Sequence, residues 1–186
     1  MEQIVNPTVS ALRLGKTILY PTDTIWGIGC DARNAEAVEK LYAIKERDHS
    51  KSMLVLVSDQ WLKPNCQWIT MSDRPTTYIL PCELWEPILG NSVAPNLPAV
   101  DGSLGIRVPK HSFCQEVINR LGAPLVSTSA NLSGYPSPTS YNDIEKALIE
   151  RVDFCVPPLS MFDSHVINGS RIIKIALDGS QSVIRP

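Results

Sequence analysis

Apolar positions run along this chain in two rhythms, and the changes between them mark its elements. Residues 9–14 carry apolar groups at helical spacing and stop at Gly15, and "KTILY" follows as a β-branched, apolar strand. Asn34 is a helix cap in front of Ala35, Val38, Leu41 and Tyr42, which share one face by three-and-four spacing. That predicts a helix ending near Lys45, with "KERDHSK" as its charged exit loop. "SMLVLVSD" is continuously apolar over strand length, the pattern of a strand covered on both faces, and "TTYIL" and "SLGIRV" read as further strands. Residues 111–121 read as a helix with Phe113, Val117, Ile118 and Leu121 inward and Gly122 past its end; "APLVSTSAN" then returns as a strand into a polar loop. Thr139 or Ser140 can cap a third helix through Ile144, Ala147 and Leu148, and "RIIKIAL" and "QSVIRP" form two antiparallel strands around Asp178 and Gly179. Strands mixed with helices that cover them predict an α/β fold.

One stretch departs from both rhythms. "YPTDTIWGIGCD" interrupts a buried-looking strand with Pro21, Thr22, Asp23 and Thr24 before resuming through two glycines, which fits either a tight corner or the wall of a pocket. Composition narrows the classes. A chain of 186 residues, 44% hydrophobic, can bury a core and is expected to form one domain. Its 17 basic and 19 acidic residues nearly cancel, which disfavours binding by bulk charge. Five scattered cysteines, never in CxxC spacing, argue against a zinc site or a disulfide framework and read as reduced and cytoplasmic. No charged-then-apolar leader pattern opens the chain, and no apolar run approaches the roughly 20 residues of a membrane helix. The 15 prolines stiffen the loops, and stiff loops can hold a preformed site.

Three clusters put polar or cationic groups where a strand or helix ends. One is Thr22, Asp23 and Thr24. Another is Lys45, Arg47 and Lys51, cations in one exit loop whose mutual repulsion an anion such as a polyphosphate would offset. The third is "STSANLSGYPSP", whose Ser127, Thr128, Ser129, Asn131, Ser133 and Ser137 follow a buried strand, where ligands of open α/β sheets commonly bind. Plain readings stand beside these: loop cations at a helix end are more often solvated, and Ser/Asn-rich turns more often only make turn hydrogen bonds. His49, His111 and His165 lie far apart without metal-ligand spacing, and no GxSxG, HExxH, Walker A loop or GxGxxG occurs. Gly27, Gly29 and Gly105 mark either sheet packing or close approach of a ligand, and the four tryptophans read as core or cleft lining.

In chain order, "YPTDTIWGIGCD", "AVEKLYAIKERD", "LGIRVP", "PLVSTSANLSGYPSP" and the closing "VIRP" resemble the YrdC/Sua5/TsaC family of threonylcarbamoyl-AMP synthases in its short bacterial form. The paired elements Lys45/Arg47 and Ser129/Asn131 carry the family's KxR and SxN signature. The resemblance implies a single YrdC-like domain over residues 1–186, a twisted open sheet of mixed parallel and antiparallel strands around a deep positive cavity. It implies a cytoplasmic nucleotidyltransferase that makes threonylcarbamoyl-AMP and pyrophosphate from ATP, L-threonine and bicarbonate or CO2, with Mg2+. The product feeds N6-threonylcarbamoyladenosine in tRNA through a separate transferase complex. Catalytic roles fall on Lys45, Arg47, Ser129 and Asn131; ATP would also meet Lys51, Ser103, Ser137 and Arg185; threonine would sit against Thr24, Arg107, Ser127 and Ser170. No protein metal ligand is implied.

The chain departs from the family pattern at several points. The segment between "SMLVLVSD" and "RPTTYILP" is much shorter than is usual in the family, which normally carries a helix there, a PGP motif reads Asp73-Arg74-Pro75, and an acidic-Gly-Gly stretch reads "VPPLSMFD". Leu56 stands at a position often His, and Arg171 follows Ser170 where a small residue is usual. Two rival readings follow: a divergent YciO-type paralogue with another activity, and a double-stranded RNA or tRNA binder whose complex would be strongly salt-dependent.

Overall fold

The computed structural model describes residues 1–49, 52–62, 66, 69, 73–159 and 169–186. Among them nine strands form one sheet: β1 (Ile18–Tyr20), β2 (Gly27–Gly29), β3 (Leu54–Leu56), β4 (Thr76–Leu80), β5 (Leu104–Arg107), β6 (Leu125–Ser129), β7 (Phe154–Cys155), β8 (Arg171–Ile175) and β9 (Gln181–Arg185). Their order is β7-β1-β2-β6-β3-β5-β4-β8-β9. The pairs β1·β7, β3·β5 and β4·β8 are parallel and the others antiparallel, so the sheet is mixed and open as expected. The helices are α1 (Glu2–Arg13), α2 (Ala35–Lys45), α3 (Cys82–Leu89), α4 (Ser112–Leu121) and α5 (Lys146–Arg151). No helix among the described residues is long and apolar enough to cross a membrane.

The elements with strong local punctuation form where expected. Asn34 accepts the Ala37 amide at 3.0 Å and opens α2; Gly122, at φ +70°, closes α4. On α2 the inward face is Ala37, Val38, Leu41 and Tyr42, while Ala35 is exposed, because the first residue after the cap points away from the sheet. Helix α1 starts seven residues before the expected Val9. Pro7 sits inside it, yet Val5, Thr8, Val9 and Leu12 are buried at helical spacing and outweigh the hydrogen bond that proline forfeits. The helix expected after Thr139 or Ser140 divides: Ser140 and Asp143 form a reciprocal capping box around a 3-10 turn, Tyr141–Asp143, and α5 follows separately. Ile144 and Leu148 are buried, whereas Ala147 is exposed. Helix α3 was not foreseen, since Pro87 lies inside it; burial of Trp85 and Leu89, one turn apart, sustains it.

Two apolar layers clamp the sheet. Ile18, Tyr20, Leu56 and Leu125 pack against Val5, Val9 and Leu12 of α1 and Phe113, Val117 and Leu121 of α4. The opposite faces of the same strands, with Leu19, Ile28, Val55 and Val126, meet the larger cluster that takes in α2, α3 and α5. Alternation along β3 and β6 sends successive side chains to these two layers, which confirms the doubly covered strand read from "SMLVLVSD" although only three of its residues pair. Cys30, Cys66, Cys82, Cys114 and Cys155 are all free thiols.

Candidate functional site

Helices α1 and α4 cover only one end of their face of the sheet. Strand register carries that face onward: Leu125 pairs with Leu56, Leu56 with Arg107, Arg107 with Thr77, Thr77 with Ile172, and Ile172 with Arg185. The next row runs from Ser127 through Leu54 and Gly105 to Ile79. Beyond the helices this face becomes the floor of a cavity of about 280 Å³, walled by Thr22, residues 24–27, Arg47, Ser129, Ser137, Gly169 and Ser170. The proline-threonine break after β1 is therefore a pocket wall. Gly105 keeps the floor low, because a Cβ there would lie 3.2 Å from the Leu54 Cβ and 3.4 Å from the Thr77 Cγ2.

One end of the cavity is built around Arg107, which is buried at 4% exposure. Its Nη1 donates to the Thr24 hydroxyl at 3.1 Å, and its Nη2 lies 3.5 Å from the carboxylate of Asp23, itself 9% exposed. The Lys110 amide holds the other Asp23 oxygen at 3.0 Å. Adjacent residues of the PTDT break thus grip the guanidinium from one edge, while Arg107 Nε is buried without a hydrogen-bond partner among the described residues. Thr77 and Ser170 share a 2.7 Å hydroxyl contact beside it, and Ser127 completes this end.

Arg185 reaches the same cavity by an irregular route. The register of β8 and β9 shifts between Ile172 and Ile173, so Ile173 pairs with Val183 but Ile172 pairs with Arg185. Without that bulge Ile184 would occupy the cavity row; the extra residue re-aims the arginine inward. Its Nε donates to the Ser170 carbonyl at 2.8 Å, and burial, with Arg107 nearby, holds its pKa below the usual arginine value. Gly169 makes room, since a Cβ there would lie 2.8 Å from the guanidinium.

Lys45 and Arg47 take opposite paths from the end of α2. Between them Glu46 caps the helix in the left-handed conformation, φ +49°, which is uncommon for a residue with a side chain and turns the chain sharply. Arg47 emerges on the cavity wall and donates to the Ser52 carbonyl at 2.9 Å. Lys45, expected as an exposed loop cation, is 1% exposed. Its ammonium donates to the carbonyls of Ser129 and Asn131 and, at 3.1 Å, to Asn131 Oδ1. Burial, and secondarily Arg47, pulls its pKa down to about 8. Asn131 Oδ1 also accepts the Ser129 hydroxyl, so three of the four signature residues form one network.

Of the anticipated site residues, Thr24, Arg47, Arg107, Ser127, Ser129, Ser137, Ser170 and Arg185 line the cavity. Lys45 and Asn131 lie behind its wall. Ser103 does not reach it: it precedes β5 and donates to Asp101 at 2.6 Å. Lys51 and His165 fall outside the described residues, as do residues 160–168 of the altered "VPPLSMFD" region. Reasoning from the sequence did not assign Thr77 and Ile79 to the site, although alternation along "TTYIL" would have placed them on one face once that face was known to be open; Gly105, marked for either sheet packing or close approach of a ligand, lies on the cavity floor. Trp26 lines the cavity and stacks edge-on against Tyr141, 5.0 Å between centroids, while Trp85 is core.

An open α/β sheet whose uncovered end carries three arginines and a row of hydroxyls, with no carboxylate among the described residues of the cavity wall, has the chemistry to take small anionic ligands. A family model described as "Telomere recombination", Sua5/YciO/YrdC, matches residues 10–186, and the chain belongs to that family. It is 32% identical over 160 residues to the threonylcarbamoyl-AMP synthase of Photobacterium profundum, covering 80% of this chain and 83% of that protein. It is 33% identical over 167 residues to the synthase of Xanthomonas campestris pv. campestris, covering 80% and 82%. P. abyssi Sua5 complexed with L-threonine superposes with a TM-score of 0.76 at 19% identity over all of this chain, which spans 54% of that longer protein. E. coli YciO gives 0.72 at 21%, covering 100% and 89%.

Proposed function

We propose that this protein is a threonylcarbamoyl-AMP synthase, a nucleotidyltransferase that joins ATP, L-threonine and bicarbonate or CO2 and releases pyrophosphate. The observation that carries the reading is one cavity whose wall carries both Arg107 and Arg47, in a chain whose relatives bear that name. Arg107, aimed by Asp23 and Thr24, takes the amino-acid carboxylate as a planar fork of donors. Ser127, Thr77 and Ser170 receive the amine and hydroxyl. Arg47, Ser129 and Ser137 hold phosphates, and Arg185, hydrogen-bonded to the Ser170 carbonyl, adds a cation on the Arg107 side that offsets charge as the substrates react.

The threonine nitrogen attacks CO2 to give a carbamate, losing a proton; a carbamate oxygen then displaces pyrophosphate at the α-phosphorus. No protein nucleophile is needed, and the arrangement works by holding reactants together and neutralising charge. Among the described residues no group of three carboxylate, histidine or cysteine side chains could hold Mg2+, which would be carried by the triphosphate. The product would serve tRNA N6-threonylcarbamoyladenosine synthesis by a downstream transferase complex in the cytoplasm. The YciO-type and double-stranded RNA readings have less support, because the curated relatives at about 30% identity carry the synthase name.

Pyrophosphate release measured with ATP, threonine and bicarbonate, each omitted in turn, tests the proposal. Release that requires all three is expected; release indifferent to threonine would overturn it.

A further inference from the structure

The two signature cations are two residues apart and meet different surroundings. All three protons of the Lys45 ammonium are committed to oxygens of residues 129 and 131, and the side chain is 1% exposed and absent from the cavity wall. The backbone repeats the tie in the other direction, since the Ser133 amide donates to the Lys45 carbonyl at 3.1 Å. Two carbonyls and an amide oxygen converging on one point repel one another and, buried, would be left unsatisfied without a donor. The ammonium is what permits the turn after β6 to close there, and that turn anchors the strand end where Ser129 meets the cavity wall and leads to Ser137.

Resting on the nucleotide reading above, we propose that Lys45 is a positioning residue that builds the nucleotide-facing wall from behind, while Arg47 is the cation that meets the phosphates. Glu46, in its left-handed conformation, is the pivot that divides the two. Loss of Lys45 therefore loosens the wall as a whole, whereas loss of Arg47 removes one charged contact.

The test compares Lys45→Met, Lys45→Arg and Arg47→Met. Amide hydrogen exchange over residues 129–135 is read on the ligand-free protein, and ATP and AMP affinities are read by calorimetry. Lys45→Met is expected to speed exchange at the Asn131 and Ser133 amides and to weaken ATP and AMP by the same factor, at least tenfold. Lys45→Arg keeps the charge but presents a planar fork to a three-point oxygen cage, so it is expected not to rescue either readout. Arg47→Met should leave exchange unchanged and weaken ATP more than AMP. Wild-type exchange in Lys45→Met, selective loss of ATP, or rescue by Lys45→Arg would overturn the proposal. Should Lys45→Met fail to fold, Asn131→Leu, which removes one of the three oxygens, is expected to speed the same amides, and unchanged exchange there overturns the proposal equally. If the wild type binds neither nucleotide, the functional reading falls, while the exchange measurement still decides the role of Lys45.

Discussion

The two ends of one sheet face make an instructive pair. At the β6-β3 end, Leu125 and Leu56 lie under α1 and α4 and belong to a dry apolar cluster. One and two strands along the same row, Arg107 and Thr77 are also buried, at 4% and 2% exposure, yet no helix covers them and their neighbours are hydroxyls and a carboxylate. Side chains at both ends are buried, but one end is held by apolar contact and the other, on the floor of the cavity, by directional polar contacts. The strands are continuous across the boundary, so the cavity exists because the helical layer stops, and the chain placed its charged and hydroxyl side chains where it stops.

Substitutions on this one row sharpen the contrast. The largest effect is expected for Arg107→Met, which leaves the Asp23 carboxylate buried and uncompensated at a cost of about 3–5 kcal/mol. Urea denaturation should show that loss, and Asp23→Asn added to it should recover a substantial part; no recovery would mean the pair is not coupled. Leu56→Ala, under the helices, should cost about 2–5 kcal/mol with no rescue from any polar change. A cost below about 1 kcal/mol would show that the helices do not close on that end. Thr77→Val removes the 2.7 Å contact with Ser170 while keeping shape, and should cost only about 1 kcal/mol in the same titration. Threonine affinity should nevertheless fall, so equal binding by this variant would remove Thr77 from the site.

Two smaller effects concern the α2 exit. Lys45 has its pKa lowered from 10.5 to about 8 by burial. Below about 8 both folded and unfolded chains carry its proton and the full cost of burying the charge is present. Between 8 and 10.5 the unfolded chain binds more protons, so this group makes stability rise with pH there. The difference between wild type and Lys45→Met in denaturation across that window should show the slope, and a flat difference would contradict the shift. Glu46→Gly relieves the left-handed residue at the expense of the exposed 2.8 Å pair with Arg151, for a net gain of at most about 1 kcal/mol in melting experiments. Destabilisation would assign the pair more weight than its exposure suggests.

Much of the fold was legible because its signals are local. Asn34 before an apolar face, Gly122 after one, and Asp178-Gly179 between two strands each act within a few residues, and each sits where its chemistry requires. Two helical stretches that escaped, α1 in its first half and α3, contain Pro7 and Pro87, where a local prohibition was outvoted by burial of side chains against distant strands. The site divides the same way. The polar break of residues 21–24 and the "STSANLSG" turn stood out as small polar groups at strand ends, and Thr24, Ser127, Ser129 and Arg107 lie together on the cavity wall.

By itself the sequence determined the strands and most helices, the family, and the residue types that can bind a carboxylate and phosphates. Only the tertiary structure decided which cation faces the cavity and which is entombed. Lys45 finds its oxygens 84 and 86 positions later, on a turn that no local pattern connects to α2. It also decided that Ser103 stands off the cavity and that Arg185 enters it, the latter through a one-residue shift of register. Caps and periods depend on neighbours in the chain, whereas burial and strand register depend on neighbours in space, and the cavity is made from the second kind.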